Sequence, residues 1–403
     1  MKIFLIMCIF SILEATKNND YINVFIDCKT YCDLKYIKTE VAFVNYVNDI
    51  TDSDLYIMIS DFKTAGGKEY IIDFKGKKRF EGINETLKFN IIETDNISTI
   101  REKMVDTIKL GIIRYIYNTD LARHIKITYN PFATKPTLTD DKWKNWLFKT
   151  SLSAYFSGER SYKSSSIMTS FYANKITKDI KFEVGYSLYH NTQKYLIIDN
   201  YVVSSLTSKY IDTMFAKKLN EHNAIGLENS YSQSTYSNIK SQLTNSIRFE
   251  HSIFPYSLAH KKILKLEYKI SYENSKYDYP TIFGKTKDNL FKQRVKLSGD
   301  IKREWGNLDI SISFRNYLYD FNKNSLNLSL YTSLNLLKGL TININTHYAI
   351  IRDQIYLSSK NLSSEDILLK KSKMKTHYNY NLSIGLTYRF GSIYSEVINP
   401  IFD

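Results

Sequence analysis

The chain has little cysteine, only three in 403 residues, and only five prolines. Beyond its first residues it has no stretch of the roughly eighteen consecutive apolar residues that a membrane-spanning helix needs. That excludes a helical membrane protein but not one that crosses a bilayer with strands, since a closed barrel satisfies its own backbone. No block of about five basic residues stands alone and no nucleic-acid-binding motif is present. The formal net charge of +14 is therefore read as part of a general richness in Lys, Asn, Ile and Tyr, and nucleic acid is not an expected partner. Cys8 lies inside an apolar N-terminal run, too early for a lipoprotein attachment site, which leaves Cys28 and Cys32. Three residues between them allow a disulfide in an oxidising compartment without demanding one. A metal site would lack its other ligands and a thioredoxin-like motif needs two intervening residues. A local staple and two free thiols both remain open.

The length suits two or three ordinary domains, or one barrel with an accessory module. Residues 1–15 read as a secretory signal peptide, with Lys2 as the charged start, Ile3–Leu13 as the apolar core and Ala15 as the cleavage position. Residues 20–130 read as a small α+β domain. Strands are expected at Tyr21–Asp27, Asp54–Phe62, Lys68–Phe74 and Glu85–Ile92, with a turn at Ala65-Gly66-Gly67. Leu34, Val41, Val44 and Val47 suggest a helix over Asp33–Asn48. Ile97, Ile100, Met104, Ile108, Ile112 and Ile116 give Asp95–Asn118 one apolar helical face, with Asp95, Asn96 or Ser98 as its cap. A last strand is expected at His124–Tyr129. No phosphate-binding loop and no paired catalytic carboxylates occur in this domain.

Residues 131–145 form a linker holding two of the prolines, and beyond it the hydrophobic period becomes two. Leu326, Leu328, Leu330, Leu334 and Leu336 alternate with Asn327, Ser329, Tyr331, Ser333 and Asn335. Tyr378, Tyr380, Leu382, Ile384, Leu386, Tyr388 and Phe390 alternate with smaller or polar residues. Such stretches exceed the five or six residues usual in soluble sheets and match the nine to eleven of a transmembrane strand. About twelve are expected, near 146–157, 165–176, 178–190, 206–219, 222–233, 238–252, 262–273, 289–303, 307–319, 325–337, 340–352 and 376–390. The fold class is accordingly mainly β, an antiparallel transmembrane β-barrel over 146–390 preceded by a small α+β periplasmic domain, with 391–403 as a C-terminal extension. Every second connection is short: around Thr177, at Asn220-Glu221, Phe254–His260, Trp305-Gly306 and Lys338-Gly339. The longer ones include Asn191–Ser205, Asn274–Asp288 and Arg352–Lys375, the asymmetry of periplasmic turns and outer loops. Trp143, Trp146, Trp305, Phe254, Tyr256, Tyr388 and Phe390 all fall at the short-turn rim, where amphipathic rings favour the interface. Within the last long connection, Ser363–Asp366, Ile367–Leu369 and Lys370–Lys373 suggest a short helix in a solvated loop.

On the stretches TEVAFVNYVND (39–49), DSDLYIMIS (52–60), FEGINETL (80–87), GERSYKSSS (158–166), KFEVGYSLYHN (181–191), SNIKSQL (237–243), HSIFPYS (251–257), IFGKT (282–286), LYDFNKN (318–324) and RFGSIYSEVINPIF (389–402), the sequence resembles a family of uncharacterised bacterial outer-membrane β-barrel proteins with an N-terminal periplasmic α/β domain. The resemblance spans nearly the whole mature chain. It implies an outer-membrane location with the N-terminal domain in the periplasm, and it carries no assigned activity and no functional residues. The Cys28/Cys32 spacing departs from the family's two-residue gap. The terminal Tyr388-Arg389-Phe390 is similar to the aromatic strand end that barrel assembly machinery recognises, although further residues follow it.

Three activities are consistent with the sequence. A porin-like channel or structural barrel would place Lys149, Lys181, Glu183, Arg248, Glu250, Lys265, Glu267, Lys269, Lys292, Arg294, Lys296, Asp300, Asp309, Arg315 and Arg389 inward. Cations outnumber anions there, which suits either an anion-preferring channel or an interior crossed by salt bridges. An assembly or anchoring protein would bind a periplasmic protein partner through the N-terminal domain. A phospholipase-like hydrolase embedded in the membrane would need a Ser–His pair on the lipid-facing wall; His251 and Ser252 point to opposite faces, and His347 faces inward with no evident serine partner. No enzymatic activity is expected, and no catalytic, cofactor-binding or metal-binding residue is singled out. The expected partners are outer-membrane lipid and lipopolysaccharide, the barrel assembly machinery during insertion, and a periplasmic protein.

Overall fold

The computed structural model describes residues 21–64, 66–117, 119–127, 143–197, 200–360, 371–392 and 394. The signal segment, most of the linker, the turn residue Ala65, the helix expected at Ser363–Leu369 and most of the C-terminal extension lie outside the described residues.

The N-terminal domain is a five-stranded sheet with two α-helices. Its strands are β1 (Asn23–Cys28), β2 (Asn45–Tyr46), β3 (Leu55–Lys63), β4 (Gly67–Gly76) and β5 (Asn84–Ile92), in the order β2-β1-β3-β4-β5. β1 runs parallel to β2 and β3, while β3, β4 and β5 form an antiparallel meander. Helix α1 (Leu34–Glu40) starts at Asp33, whose side chain accepts from the Tyr36 N–H at 3.0 Å. It stops well short of the expected Asn48. The Asn45 and Val47 N–H groups bond the Ile22 and Val24 carbonyls at 3.0 Å each, so sheet pairing with β1 takes these residues from the helix. Val41 and Val44, which read as a helical face, are core residues of the turn and strand that follow.

Helix α2 (Ile97–Ile116) is capped by Asn96, which accepts from the Thr99 N–H at 2.8 Å. Its apolar face buries Met104, Val105, Ile108, Ile112, Tyr115 and Ile116 against Ile57, Ile59, Ile72 and Phe74 of the sheet. Ile97, expected on that face, is exposed because the first turn overhangs the sheet edge. At Gly111 an added Cβ would lie 2.1 Å from the Phe74 ring, so glycine sets how closely α2 approaches β4. The strand expected at His124–Tyr129 does not form among its described residues; Asp120–His124 is a short 3-10 turn instead. Among the described residues no helix is long and apolar enough to cross a membrane, which leaves crossing by strands open.

The second unit is one twelve-stranded antiparallel sheet in strict chain order. Its strands are β6 (Trp146–Gly158), β7 (Tyr162–Ile176), β8 (Ile180–Ile197), β9 (Asn200–Lys218), β10 (Asn223–Ser234), β11 (Ile239–Ser252), β12 (Lys262–Tyr277), β13 (Lys287–Arg303), β14 (Gly306–Tyr317), β15 (Asp320–Leu337), β16 (Leu340–Ile351) and β17 (Tyr378–Tyr388). Each expected segment corresponds to one strand. β6 and β17 are the two edges and are not paired with each other. The connection expected at Asn191–Ser205 is mostly strand, because β8 and β9 continue as a hairpin of 18- and 19-residue strands. At about 3.3 Å per residue each spans roughly 60 Å, more than a bilayer's hydrocarbon layer even when tilted.

The two faces of this sheet invert the usual polarity of a soluble protein. In its middle strands Ile247, Phe291 and Leu266 are 53%, 53% and 47% exposed, whereas Glu267 and Glu273 are 5% and 2% exposed. A single sheet buries one of its faces over so many strands only by curling round on itself, so the charged face is concave. On the convex face of β6–β8, Trp146 stacks on Phe148 with centroids 5.8 Å apart and meets Phe182 edge-on at 5.6 Å.

Candidate functional site

The concave wall of β10–β13 carries a continuous set of ion pairs. The pairing register places Glu250 opposite Glu267, and Lys269 opposite both Arg248 and Arg294. These like charges repel across the register, and the long side chains pair along the diagonals, although Glu267 also has Lys296 opposite it on β13. Arg248 and Arg294 each donate to a different oxygen of Glu267. Lys269 donates to Glu228 at 2.6 Å, Lys265 pairs with Glu250 at 3.1 Å, and Lys292 pairs with Glu273. Tyr256 donates its hydroxyl to Glu250 at 3.0 Å. Ser246 and Ser271 bond each other between these layers. A carboxylate so placed is satisfied only while both guanidinium groups remain.

The other inward charges of the sequence reading also lie on this face. Lys181 pairs with Glu183 at 3.0 Å. Asp300 stands opposite Asp309 in the β13–β14 register, with Lys302 3.6 Å away. Lys149 leaves the wall for Glu93 of the N-terminal domain at 2.6 Å. Most of the expected cationic excess is thus held by carboxylates.

The end opposite the short turns is covered by the chain that follows β16, where the expected solvated loop proves partly buried. Arg315 donates to Asp353 from Nε at 2.8 Å and from Nη2 at 2.5 Å, and Ser325 donates to the same oxygen at 3.0 Å. Ile355 packs on Leu290 and Tyr317 of the wall. The Ile282 N–H bonds the Leu357 carbonyl at 2.8 Å, and Thr281 bridges Ser358. Asn238 donates to the Tyr279 and Tyr356 carbonyls at 3.0 Å each. No local pattern signals this, because Asp353 and Ile355 acquire their partners only through the register of β13–β15.

The N-terminal domain occupies the short-turn end. Lys75 and Lys77 pair with Glu304 at 2.5 and 2.9 Å, Asp73 with Lys261 at 2.6 Å, and Asp52 with Lys338 at 2.7 Å. Asp49 accepts the Gly339 N–H at 2.8 Å, and Asn48 donates to the Ser392 carbonyl at 2.9 Å. Gly339 has φ +73°, and a Cβ there would strike the Arg389 carbonyl, so the turn that meets Asp49 calls for glycine. These contacts reach β6, the β11–β12 turn, the β13–β14 turn, the β15–β16 turn and the segment after β17. Burial pushes the Glu304 carboxyl up, but the bonds from Lys75 and Lys77 outweigh it and hold it below the usual carboxylate range. For Asp49, bonds from Thr51 and Gly339 and the nearby Lys338 likewise outweigh burial.

Cys28 and Cys32 form a disulfide with their Cα atoms 6.2 Å apart, closing the turn between β1 and α1. That turn faces a cavity of about 640 Å³ between the domain and the wall, lined also by Asp300, Asp309, Tyr331 and Arg389. His347 does have a serine partner: Ser329, opposite it in the β15–β16 register, lies 3.1 Å from its Nδ1. The pair stands on the concave face. His251 bonds Asn223 at 2.8 Å on the convex face, while Ser252 donates its hydroxyl to the Phe254 carbonyl at 2.6 Å.

No family model matches the sequence, and no curated protein matches it. Among solved structures 17 chains match. The NanC porin is similar over 59% of this chain and 97% of its own, at 10% identity and a TM-score of 0.29. A bacterial polysaccharide outer-membrane secretin is similar over 61% of this chain and 91% of its own, at 11% identity and a TM-score of 0.29. CdiB from Acinetobacter baumannii is similar over 91% of this chain and 74% of its own, at 8% identity and a TM-score of 0.27.

Proposed function

We propose that the chain is a transport barrel of the bacterial outer membrane that is shut at rest. β6 and β17, the first and last of an even number of strands, run antiparallel, so lateral pairing of these two edges would close the cylinder. The observation that carries the reading is the inverted polarity of the twelve-stranded sheet, with apolar side chains outside and paired charges within. Such a surface is stable in hydrocarbon and costly in water. We take the end that carries Trp146, Phe254 and Trp305 as the periplasmic rim, because amphipathic rings favour the interface, and with it the N-terminal domain as periplasmic. Three obstructions stand in series along the lumen: the domain, the ion pairs of β10–β13 and the segment Asp353–Leu357.

Opening then requires displacement of the domain and of the inner segment, and the exposed face of the domain is where a periplasmic protein partner would act. Mature protein should need detergent, should migrate differently before and after boiling, and should show little conductance in planar bilayers. Deleting residues 20–130 should raise conductance. A constantly conducting full-length protein, or one compact in water without detergent, would overturn the reading.

We read the barrel as lacking catalytic machinery. Ser329–His347 belongs to a row of polar concave residues, and hydrolysis of lipid would call for the opposite face. A serine-directed phosphonate should leave Ser329 unlabelled.

A further inference from the structure

We infer that the convex face binds phosphate groups of membrane lipid at two pairs of lysines near the end opposite the short turns. The inference rests on the membrane reading above. In the β7–β8 pair Lys163 stands directly opposite Lys194, and in the β12–β13 pair Lys276 stands directly opposite Lys287. All four are exposed. Among the described residues none of their ammonium groups has an ion-pair or hydrogen-bond partner. Neighbouring lysines at the same end are engaged, Lys285 with Asp288 at 2.6 Å and Lys373 with the Tyr356 hydroxyl at 2.6 Å. Like charges directly opposite on a sheet repel, and a shared counter-anion removes that repulsion.

The layering beneath each pair says which anion. On β12–β13 the convex residues run Leu266/Leu297, Tyr268/Val295, Ile270/Gln293, Tyr272/Phe291, then Asn274/Asn289, then Lys276/Lys287. On β7–β8 they run Phe171/Tyr186, Thr169/Leu188, Ile167/His190, then Ser165/Thr192, then Lys163/Lys194. The same order, mostly apolar pairs, one small polar pair and one lysine pair, recurs on two hairpins five strands apart. On β8 Leu188 lies six positions below Lys194, and Val203 beside it and Leu196/Tyr201 beyond it add apolar groups at that height. On β7, β12 and β13 the lysine stands four positions beyond Ile167, Tyr272 and Phe291, about 14 Å of strand, or roughly 10 Å of height at barrel tilt. That is the depth at which a bilayer gives way from hydrocarbon to its phosphate-bearing headgroups. Two ammonium groups side by side at that height suit one lipid phosphate. In the outer leaflet of an outer membrane that means a phosphorylated glycolipid.

The test uses the full mature chain in detergent, titrated with bisphosphorylated lipid A, with its dephosphorylated form and with inorganic phosphate. The readout is the midpoint of heat-dependent gel mobility. Wild type should be stabilised by the phosphorylated lipid alone. Lys163→Ser with Lys194→Thr, and Lys276→Asn with Lys287→Asn, each repeat the polar pair below. Each double variant should need about 25 times more lipid for the same shift at that pair, since each of the two lysines near an anionic surface contributes roughly five-fold in binding. Without lipid their midpoints should equal or exceed that of wild type, because repulsion is relieved; this separates lost binding from damaged folding. Equal lipid dependence in wild type and the fourfold variant overturns the inference, as does equal stabilisation by the dephosphorylated lipid or by inorganic phosphate. Wild type with no heat-dependent mobility at all would instead sink the barrel itself, and the two failures are thereby told apart.

Discussion

Lys338 Nζ lies 2.7 Å from Asp52 Oδ1, a residue 286 positions earlier in the chain. Beside it Asp49 takes the Gly339 N–H. One short turn of the large sheet is thus gripped by two acids from one short segment of the N-terminal domain. Asp73 and Glu93 repeat the device, and Glu304 of the β13–β14 turn reverses it, held by Lys75 and Lys77 of the domain.

Docking of the domain should depend on pH in a defined direction. The docked carboxyls of Asp49 and Glu304 are held below their ordinary values of 3.8 and 4.5. Their contribution is therefore complete above those values and is lost as pH falls through the docked ones. Hydrogen exchange should find Lys75–Lys77 and Asp49–Ser53 equally protected at pH 6 and 8, and deprotected below about pH 4. Lys338→Ala, which removes an exposed lysine, should weaken docking only slightly, and Asp49→Ala by more, since it strands the Gly339 N–H.

Glu267→Gln should destabilise the barrel severely. The carboxylate is 5% exposed and is shared by Arg248 and Arg294. Its loss leaves Arg294 without its carboxylate and Arg248 with only the longer contact to Glu228 at 3.4 Å, a defect of about 3–5 kcal/mol. The midpoint of heat-dependent gel mobility should fall sharply, while Leu266→Val, one residue away on the convex face, should leave it nearly unchanged.

Asp353→Asn should free the segment at the end opposite the N-terminal domain. Arg315 and Ser325 both donate to the Asp353 carboxylate, and a neutral amide keeps the shape while losing the charge. Conductance in planar bilayers should rise, with protease cleavage appearing between residues 352 and 359. Unchanged conductance would place the barrier at the N-terminal domain or the β10–β13 ion pairs.

Gly111→Ala should loosen the N-terminal domain. The new methyl would meet the Phe74 ring at 2.1 Å, and overpacking of this kind costs about 1–3 kcal/mol. The domain's thermal transition should fall while the barrel's heat-dependent mobility stays as in wild type.

Much of this architecture was legible in the residues. Alternation with period two is a local property, so the twelve strands and the face each side chain takes followed from their order alone. The 3.6-residue period of Ile108, Ile112 and Ile116 gave α2 in the same way. Local pattern misled at Val41–Val47, where valines spaced for a helix are recruited by main-chain pairing with β1, and at His124, which ends a short 3-10 turn instead. It also took Asn191–Ser205 for a loop, since polar residues on a strand that rises beyond the hydrocarbon layer look like loop residues.

The sequence by itself determined that one face of a long sheet is apolar, that the other is charged, and that a small α+β domain precedes it. Only the tertiary structure decided which charge meets which. Glu267 reaches Arg248 and Arg294, Asp353 reaches Arg315, and Ser329 reaches His347 through the stagger between strands far apart in the chain. The same is true of the grip of Asp49 and Asp52 on the Lys338-Gly339 turn. Periodicity along a strand fixes the direction of a side chain, but its partners depend on register and closure, which are settled by all the strands together.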